Sequence, residues 1–330
     1  QRRAHEPLQR TDFYRFLLDW HHLEQRAGLT ELVRQYSGTN LPLFEYERCI
    51  LIPRLCAGEF ETDLINHIAA GEVIPLCSSA SRRIQIMFLP RSCGSVLLER
   101  GKLDDKLADS SAAAQQIAGF LRDNGASPHH DIAAATELTP VQVDDGLGEL
   151  SRTGLVSCDD YRSFMSTLQQ RGESKDLEPD WHRQIRPAWR SAERHHKGQR
   201  SSRRQAVKQR LVKRSGRWTL AGSFAVMGKE LTEEKRIEQQ TRLLLQRYGV
   251  LVKEFYRKET GLEPWPRIFQ TLKRMEWRGE IRRGYFIQGL SGIQFALPEA
   301  LERLRALQMQ GEHTESEHLL STMDPALPFG

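Results

Sequence analysis

One pattern occurs three times along this chain: a leucine, a glycine seven residues later, and then a short run typical of a strand. The three copies read "LINHIAAGEVIPL", "LGELSRTGLVSC" and "LKRMEWRGEIRRGYF". Glycine readily takes the positive φ that ends a helix. The repeat therefore predicts three amphipathic helices, each stopping at a glycine and turning into strands, with leucine–glycine pairs at Leu64–Gly71, Leu147–Gly154 and Leu272–Gly279.

The helix of the third copy has a core side and a cationic side. Ile268, Leu272 and Met275 recur at i, i+4 and i+7, which places them on one face of a helix. The lysine and arginine residues of the same helix fall outside that stripe. After the helix, "EIRRGYFI" alternates around Gly284 and predicts a hairpin there.

A helix that ends at glycine and continues into a hairpin is typical of the recognition helix and wing of a winged helix. The middle copy is the most complete, with helices predicted in "AAAQQIAGFLRDNGAS", "HHDIAAATEL" and "TPVQVDDGLGELSRTG". Thr139 followed by Pro140 is a favourable N-cap and N1 pair for the last of these. The first copy is compressed, and fits either a degenerate winged helix or a plain helix followed by the hairpin "RRIQIMFL".

These patterns predict a mainly helical α+β fold of tandem winged-helix units with a small strand element. The stripe formed by Phe13, Phe16, Leu17 and Trp20 predicts a docking helix near the start. "GRWTLAGSFAV" predicts one or two strands between the second and third units. The expected divisions are 1–43 docking helices, 44–110 degenerate winged-helix/β unit, 111–170 winged helix, 171–217 basic linker, 218–305 winged helix with strands, and 306–330 loosely ordered tail.

Positive charge is concentrated in one segment. The 330 residues carry a net charge of +5, yet from His182 to Arg217 there are 13 lysine and arginine residues against one acid. That segment alone carries +12, so the rest of the chain carries −7. Repulsion between like charges and few apolar residues oppose independent folding. The segment is predicted to be either a solvated connector or an arm ordered by a polyanion.

Several classes of protein are disfavoured. Five cysteines with no CxxC pair favour buried thiols over a disulfide framework or zinc site. No apolar run approaches the roughly 18 residues of a membrane span, and no signal-peptide core is visible, so we expect a cytoplasmic, nucleoid-associated protein. Adjacent histidine pairs point about 100° apart on a helix and do not favour a shared metal ion. No GxSxG motif supports serine hydrolase chemistry.

The sequence resembles one known family. The stretch "RYGVLVKEFYRKETGLEPWPRIFQTLKRMEWRGEIRRGYFIQGLSGIQFALPEALERLR" closely resembles the region after the motor in the Lhr (large helicase-related) family of ATP-dependent helicases. Shorter matches are "TDFYRFLLDWHHL", "INHIAAGEVIPL", "GRWTL" and "STMDPALPFG", so the resemblance covers most of residues 10–330. It implies a C-terminal domain built from winged helices and a small β-barrel, similar to helix-turn-helix DNA glycosylases of the AlkZ type.

The departures from the family pattern concern the motor. The chain contains no GxxxxGK[ST] and no DExH-like motif, so it lacks a phosphate cradle and a metal-holding acid for ATP hydrolysis. We interpret it as the accessory half of a helicase, either a fragment or the product of a split gene. No cofactor is expected on this chain, and ATP and Mg²⁺ are expected at motor domains supplied in cis or by a separate subunit.

The expected role is to grip the tracking strand and aid unwinding, in DNA repair. The expected partner is DNA, as a single strand or 3′-tailed duplex, with an RNA:DNA hybrid as a further candidate and no membrane. Cations would hold phosphates and aromatic faces would stack on bases. By resemblance, Trp20 lies where the accessory domain approaches the strand leaving the motor, although a tryptophan at helical spacing also fits a core. The residues assigned to nucleic-acid binding are Trp20, Arg203, Arg204, Lys208, Arg210, Lys213, Arg214, Arg267, Gln270, Lys273, Arg274, Trp277, Arg278, Arg282 and Arg283.

Two other functions remain open at this point. A helix-turn-helix DNA glycosylase needs a carboxylate, or a water held by a carboxylate and an amide, beside the sugar of a flipped nucleotide. Gln288 and Gln294 lie on a glycine-rich hairpin, but no acid lies two residues beyond either one, so the QxD or QxQ signature is absent and no catalytic residue is assigned. A winged-helix transcription regulator would explain a DNA-binding face, but not the "RFLLDW" helix.

Overall fold

The structure is a computed structural model that describes residues 7–42, 45–55, 60–78, 84–168, 215–309 and 320–328. Within those residues the helices are α1 (Arg10–Trp20), α2 (Leu29–Gln35), α3 (Ile52–Arg54), α4 (Phe60–Ala69), α5 (Arg100–Ala108), α6 (Ala112–Asn124), α7 (His129–Thr136), α8 (Pro140–Arg152), α9 (Tyr161–Leu168), α10 (Phe224–Met227), α11 (Glu233–Tyr248), α12 (Lys253–Tyr256), α13 (Trp265–Trp277) and α14 (Pro298–Met309). A π-helical stretch, Glu45–Leu51, precedes α3, and a 3₁₀ turn, Gly94–Val96, precedes α5. The strands are β1 (Leu41–Pro42), β2 (Val73–Ser78), β3 (Gln85–Pro90), β4 (Ser127–Pro128), β5 (Val156–Cys158), β6 (Arg217–Leu220), β7 (Val250–Leu251), β8 (Arg282–Gly284) and β9 (Gln294–Ala296).

The strands form three small sheets with one shared topology. Their orders are β1-β3-β2, β4-β6-β5 and β7-β9-β8, and every pairing is antiparallel. In each sheet the strand that comes last in sequence lies in the middle. The predicted mainly helical α+β fold is confirmed. No sheet in the described part of the chain closes into a barrel, so the strand element is three open sheets.

The repeated glycines end the three helices as the sequence predicts. Gly71, Gly154 and Gly279 have φ values of +69°, +75° and +76°, and each is followed within two or three residues by the second strand of its sheet. At Gly154 a side chain is also excluded by space, because an added Cβ would lie 2.3 Å from the carbonyl oxygen of Cys77. The first two units therefore approach each other closely at this turn.

One strand prediction is confirmed and one is corrected by the observed pairing. The strand expected in "GRWTL" is β6, the central strand of the second sheet, where Trp218 is opposite Ser127 on one side and Cys158 on the other. The hairpin expected around Gly284 is wrong, because Gly284 pairs with Gln294 across a longer loop. Backbone alternation alone did not reveal either partner strand. The division of the chain into domains remains a prediction.

The middle unit starts its third helix as predicted. Thr139 is the N-cap of α8, and its hydroxyl accepts from the backbone N–H of Gln142 while the Gln142 side chain accepts from the Thr139 N–H. Such a capping box satisfies two backbone donors that a helix start otherwise leaves unpaired. Pro140 occupies the first turn, where its missing N–H costs nothing.

The buried apolar side chains of the described residues form two hydrophobic cores. One joins the first and second units, and the other joins the third unit to α1. Phe13, Phe16 and Leu17 of α1 are fully buried, and α1 packs against α14. The predicted docking helix is therefore a structural part of the third unit.

The C-terminal segment is anchored where the structure describes it. Asp324 is 2% exposed and its carboxylate binds Arg54 at the end of α3. Lys258, beyond α12, donates to the carbonyl oxygen of Leu327 in the same segment. The polar composition of this segment predicts a loosely held tail. Composition alone does not reveal the buried ion pair that anchors residues around Asp324.

Cys77, Cys93 and Cys158 are free thiols. Cys77 and Cys158 are buried, and Cys93 is exposed. Burial raises the pKa of the Cys77 thiol to about 12 and also raises the pKa of Cys158. Both thiols therefore remain protonated at neutral pH and act as small apolar side chains.

Candidate nucleic-acid interface

Helix α13 presents one apolar face to the core and a different face to solvent. Ile268 and Leu272 are fully buried. Gln270, Arg274 and Trp277, spaced at i, i+4 and i+7, are exposed, and Trp277 is 83% exposed. The 3.6-residue period that sends the first set into the core necessarily sends the second outward.

Two of the predicted contact residues on and beside α13 are engaged by carboxylates. Arg267 pairs with Glu233 and Glu263. Arg278 pairs with Glu238 at 3.2 Å and with Glu280 at 2.7 Å. A phosphate that approached these arginines would have to compete with the neighbouring acids.

Two further interactions extend this pattern of paired charges. Arg283 on β8 pairs with Glu276 at 3.1 Å, which ties the wing strand to the last turn of α13. Arg242 on α11 binds both Glu238 and Glu280, and its hydrogen bond holds the pKa of Glu238 below its usual value. Glu238 therefore remains ionised near neutral pH, and these carboxylates neutralise one edge of the basic surface.

On α13 and β8, three predicted basic contact residues remain. In the described part of the chain, none of these three makes an ion pair with a carboxylate. Lys273 lies with its ammonium 5.6 Å from the centre of the Phe269 ring. Arg274 donates to the hydroxyl of Thr271 within its own helix, and Arg282 is exposed on β8. Their remaining donors are available to an anion. We call Lys273, Arg274 and Arg282 the open cations.

The corresponding helices of the other two units lack such a surface. Helix α8 carries Asp144, Asp145 and Glu149 against one arginine, Arg152, and α4 contains neither lysine nor arginine. Asp144 is also bonded to the buried His129 at 2.8 Å. Of the three helices that end at the repeated glycine, α13 alone presents cations suited to phosphates. The repeat is visible in the sequence, and the difference in charge between its copies is the signal that singles out α13.

Trp20 is engaged in the fold. It is partly buried, and its indole N–H donates to the carbonyl oxygen of Gln246 at 2.9 Å. Its ring stacks on Phe16 with 5.3 Å between centroids, and the guanidinium of Arg303 lies 6.0 Å from the ring centre. A packing role accounts for these contacts, and stacking on a base remains a prediction.

The basic segment lies outside the described residues, and this includes the predicted contacts Arg203, Arg204, Lys208, Arg210, Lys213 and Arg214. The described residues at its two ends are held together. Asp159 accepts from the backbone N–H of Arg217 at 2.6 Å, and the hydroxyls of Ser163 and Ser215 lie 2.9 Å apart. In sequence, the segment therefore belongs to the connection between β5 and β6, after α9, and this connection corresponds to the wing of the middle unit.

The two glutamines considered for base excision have different surroundings. Gln294 is fully buried, and its Oε1 accepts from the N–H groups of Phe286 and Ile287 at 2.8 and 2.9 Å. Its Nε2 donates to the carbonyl oxygen of Ile287 at 2.9 Å. The amide is fully used in closing the β8–β9 loop. Gln288 is exposed on that loop.

A cleft of about 320 Å³ lies between the start of α5 and the start of α11. Glu99, Glu230, Glu233 and Arg236 are among its lining residues. Arg236 pairs with Glu99 at 2.9 Å, and a hydrogen bond from Lys102 lowers the pKa of Glu99. Glu99 is therefore held ionised and paired.

The described residues contain neither a cluster of metal ligands nor a membrane-spanning helix. No group of three or more His, Cys, Asp or Glu side chains there is arranged to hold a metal ion. Of the described helices, none has the length and apolar character needed to cross a membrane.

Comparison with known families and proteins gives related matches. Residues 230–316 match a family model described as the winged-helix domain of large helicase-related protein. A protein of Mycolicibacterium smegmatis named "Lhr helicase/ probable uracil glycosylase" is 33% identical over 119 residues, which are 35% of this chain and 8% of that protein. The Escherichia coli protein named "Lhr helicase/uracil glycosylase" is 24% identical over 327 residues, which are 92% of this chain and 19% of that protein. The chain thus matches less than a fifth of the length of either relative.

A solved structure with a partial likeness is the DNA glycosylase AlkZ of Streptomyces sahachiroi. The match has a TM-score of 0.41 and 14% sequence identity, and it covers 91% of this chain and 73% of that one.

Proposed function

We propose that this chain, whose residues 230–316 match the winged-helix model of large helicase-related protein, is the nucleic-acid-binding accessory region of an Lhr-type ATP-dependent DNA helicase. In this proposal the chain lies C-terminal to the motor, grips the tracking strand and aids duplex unwinding during DNA repair. The surface that does so is the exposed face of α13 together with β8.

The observation that carries the proposal is the difference between α13 and its two counterparts. Three helices occupy equivalent places, and α13 is the one that combines exposed cations with an exposed tryptophan. Phosphate contacts from lysine and arginine supply most sequence-independent affinity for nucleic acid. A helicase that moves along any sequence requires this kind of contact.

The remaining parts of the machine are proposed from the family. ATP and Mg²⁺ would be bound by motor domains, either on the same polypeptide or in a separate subunit, in the cytoplasm near the nucleoid. The partner would be single-stranded or 3′-tailed DNA, with an RNA:DNA hybrid as an alternative substrate. The basic segment, through Arg203 to Arg214, and Trp20 would add contacts to the same strand.

The test is binding of the 330-residue chain to fluorescein-labelled single-stranded, duplex and 3′-tailed DNA over a salt titration. We expect log K to fall with log salt, because the open cations displace counterions from phosphates. The double variant Lys273→Ala/Arg274→Ala should weaken binding and reduce the slope by about 1.4, at about 0.7 per cation on a single strand. Lys102→Ala/Lys106→Ala is the matched control, since it removes two exposed lysines of α5 and changes net charge equally. Equal slopes for the two variants would contradict the proposed surface, and absence of binding would make the chain a docking scaffold for the motor.

A second candidate function rests on the names of the two relatives, both of which include uracil glycosylase. Incubating the chain with a uracil-containing strand and assaying abasic sites tests it directly. Abasic product would favour the glycosylase and would direct attention to carboxylates outside the β8–β9 loop. Intact bases with salt-dependent binding would favour the accessory region.

A further inference from the structure

Two aromatic side chains stand exposed at the junction of α13 and β8. Trp277 is 83% exposed and Tyr285 is 64% exposed, whereas Trp218 is fully buried. Glu276 immediately precedes Trp277, and its ion pair with Arg283 at 3.1 Å brings the segment carrying Tyr285 beside the end of the helix. The two rings are therefore presented by neighbouring elements that a salt bridge holds together.

The open cations flank these rings. Arg274 lies one helical turn before Trp277, and Arg282 lies three residues before Tyr285. Trp277 thus has a cation one turn away in α13, and Tyr285 directly follows the strand that carries Arg282. Alternating cations and aromatic faces are the arrangement that binds single strands, with charge on the backbone and rings on the bases.

The small number of open cations indicates whether this surface binds single-stranded or duplex nucleic acid more tightly. Three cations neutralise about three phosphates, which gives modest affinity for any backbone. Additional binding energy must come from the rings, and a ring can stack only on a base whose face is accessible. In a duplex the faces are covered by neighbouring base pairs except at the ends, whereas in a single strand they are open.

We infer that Trp277 and Tyr285 form a stacking platform for unpaired bases, so the α13–β8 surface binds single-stranded nucleic acid in preference to duplex. This inference rests on the proposed function, because it assigns a strand form and a new contact residue, Tyr285, to the same surface. Trp277 and Tyr285 contact bases, and the open cations contact the phosphates between them.

The experiment compares two labelled strands of 12 nucleotides, one of thymidines and one in which every base is replaced by hydrogen on a tetrahydrofuran sugar. Both strands have the same backbone charge. We expect the 330-residue chain to bind the thymidine strand at least about fivefold more tightly. Trp277→Ala and Tyr285→Ala should each remove part of that preference while leaving affinity for the abasic strand unchanged. Lys273→Ala/Arg274→Ala should lower the affinity of the chain for both strands by the same factor.

Conservative variants and a matched control separate stacking from folding. Trp277→Phe and Tyr285→Phe keep a ring and should retain the preference, whereas Phe224→Ala removes an exposed ring of the second unit and should have no effect. Equal binding of both strands by the wild-type chain would overturn the stacking platform while leaving phosphate binding in place. Absence of binding to either strand would overturn the proposed function as well, and would leave the aromatic pair as a contact for the motor protein.

Discussion

Arg54 and Asp324 are 270 residues apart in sequence, yet Nη2 of Arg54 lies 2.7 Å from both carboxylate oxygens of Asp324. Both side chains are fully buried. Nη1 of Arg54 also donates to the carbonyl oxygen of Ile50, and the Asp324 carboxylate accepts from the N–H of Ala326. This pair fixes the C-terminal segment against the first unit.

We predict that Asp324→Ala lowers the free energy of unfolding by about 3 to 5 kcal/mol, because it leaves the Arg54 guanidinium buried without its counter-charge. Urea unfolding followed by circular dichroism measures the change. Lys102→Ala, which removes one partner of an exposed pair with Glu99, should cost less than about 1 kcal/mol. Similar midpoints for Asp324→Ala and the wild-type chain would show that the segment is not held by this pair.

How far the sequence predicts this molecule depends on the range of the interactions. Local signals gave the helix starts and stops, as at Thr139 and Gly154, since a cap or a positive φ is decided within a few residues. Long-range partners were not visible. The central position of β6 and the burial of Asp324 depend on contacts between segments far apart in sequence.

For the candidate site too, the sequence predicts local features and misses contacts with other elements. Helical periodicity correctly placed Gln270, Arg274 and Trp277 on the outer face of α13. It could not show that Arg267 and Arg278 are paired, because their acids lie on α11 and in the turns around α13. Charge counted along a helix therefore overstates the charge that the surface offers.

Neutralising the acids beside α13 should strengthen nucleic-acid binding. In Glu238→Gln/Glu280→Gln, Arg242 and Arg278 lose their ionised partners and become available to phosphates. We expect tighter binding to a single strand and a salt slope steeper by about 0.7 for each cation released. Anisotropy titrations at several salt concentrations measure both.

Net charge changes in that variant, so its control must change net charge equally. Glu299→Gln/Glu302→Gln alters two exposed acids of α14. A general electrostatic effect would give the same gain in both double variants. The prediction fails if the α14 variant binds as tightly and with as steep a slope as the α13 variant.

We predict that Gln294 stabilises the fold and does not contribute to base excision. Gln294→Ala leaves the buried amides of Phe286 and Ile287 without their acceptor, at about 1 to 3 kcal/mol for each group that stays unsatisfied. Hydrogen exchange at these two amides should accelerate, and urea unfolding should shift to lower concentration. Gln288→Ala, on the same loop but exposed, should change neither. Normal exchange at both amides in Gln294→Ala would refute this role.

His21 should make stability depend on pH below neutrality. Its ring is fully buried, Nδ1 lies 2.7 Å from the Tyr36 hydroxyl, and burial followed by the charges of Arg54 and Arg247 lowers its pKa well below 6.5. The unfolded chain therefore binds a proton near pH 6.5 that the folded chain excludes. The stabilising contribution is complete above pH 6.5 and is lost as the pH falls toward the folded-state pKa, by up to about 1.4 kcal/mol per pH unit.

Urea unfolding at intervals between pH 7.5 and 5.5 tests this sign. His21→Asn cannot take up the proton, so its free energy of unfolding should be lower at pH 7.5 but should fall less on acidification. His130→Asn, which removes an exposed histidine of α7, should retain the wild-type slope. If His21→Asn loses stability on acidification as steeply as the wild-type chain, then the pH dependence arises elsewhere.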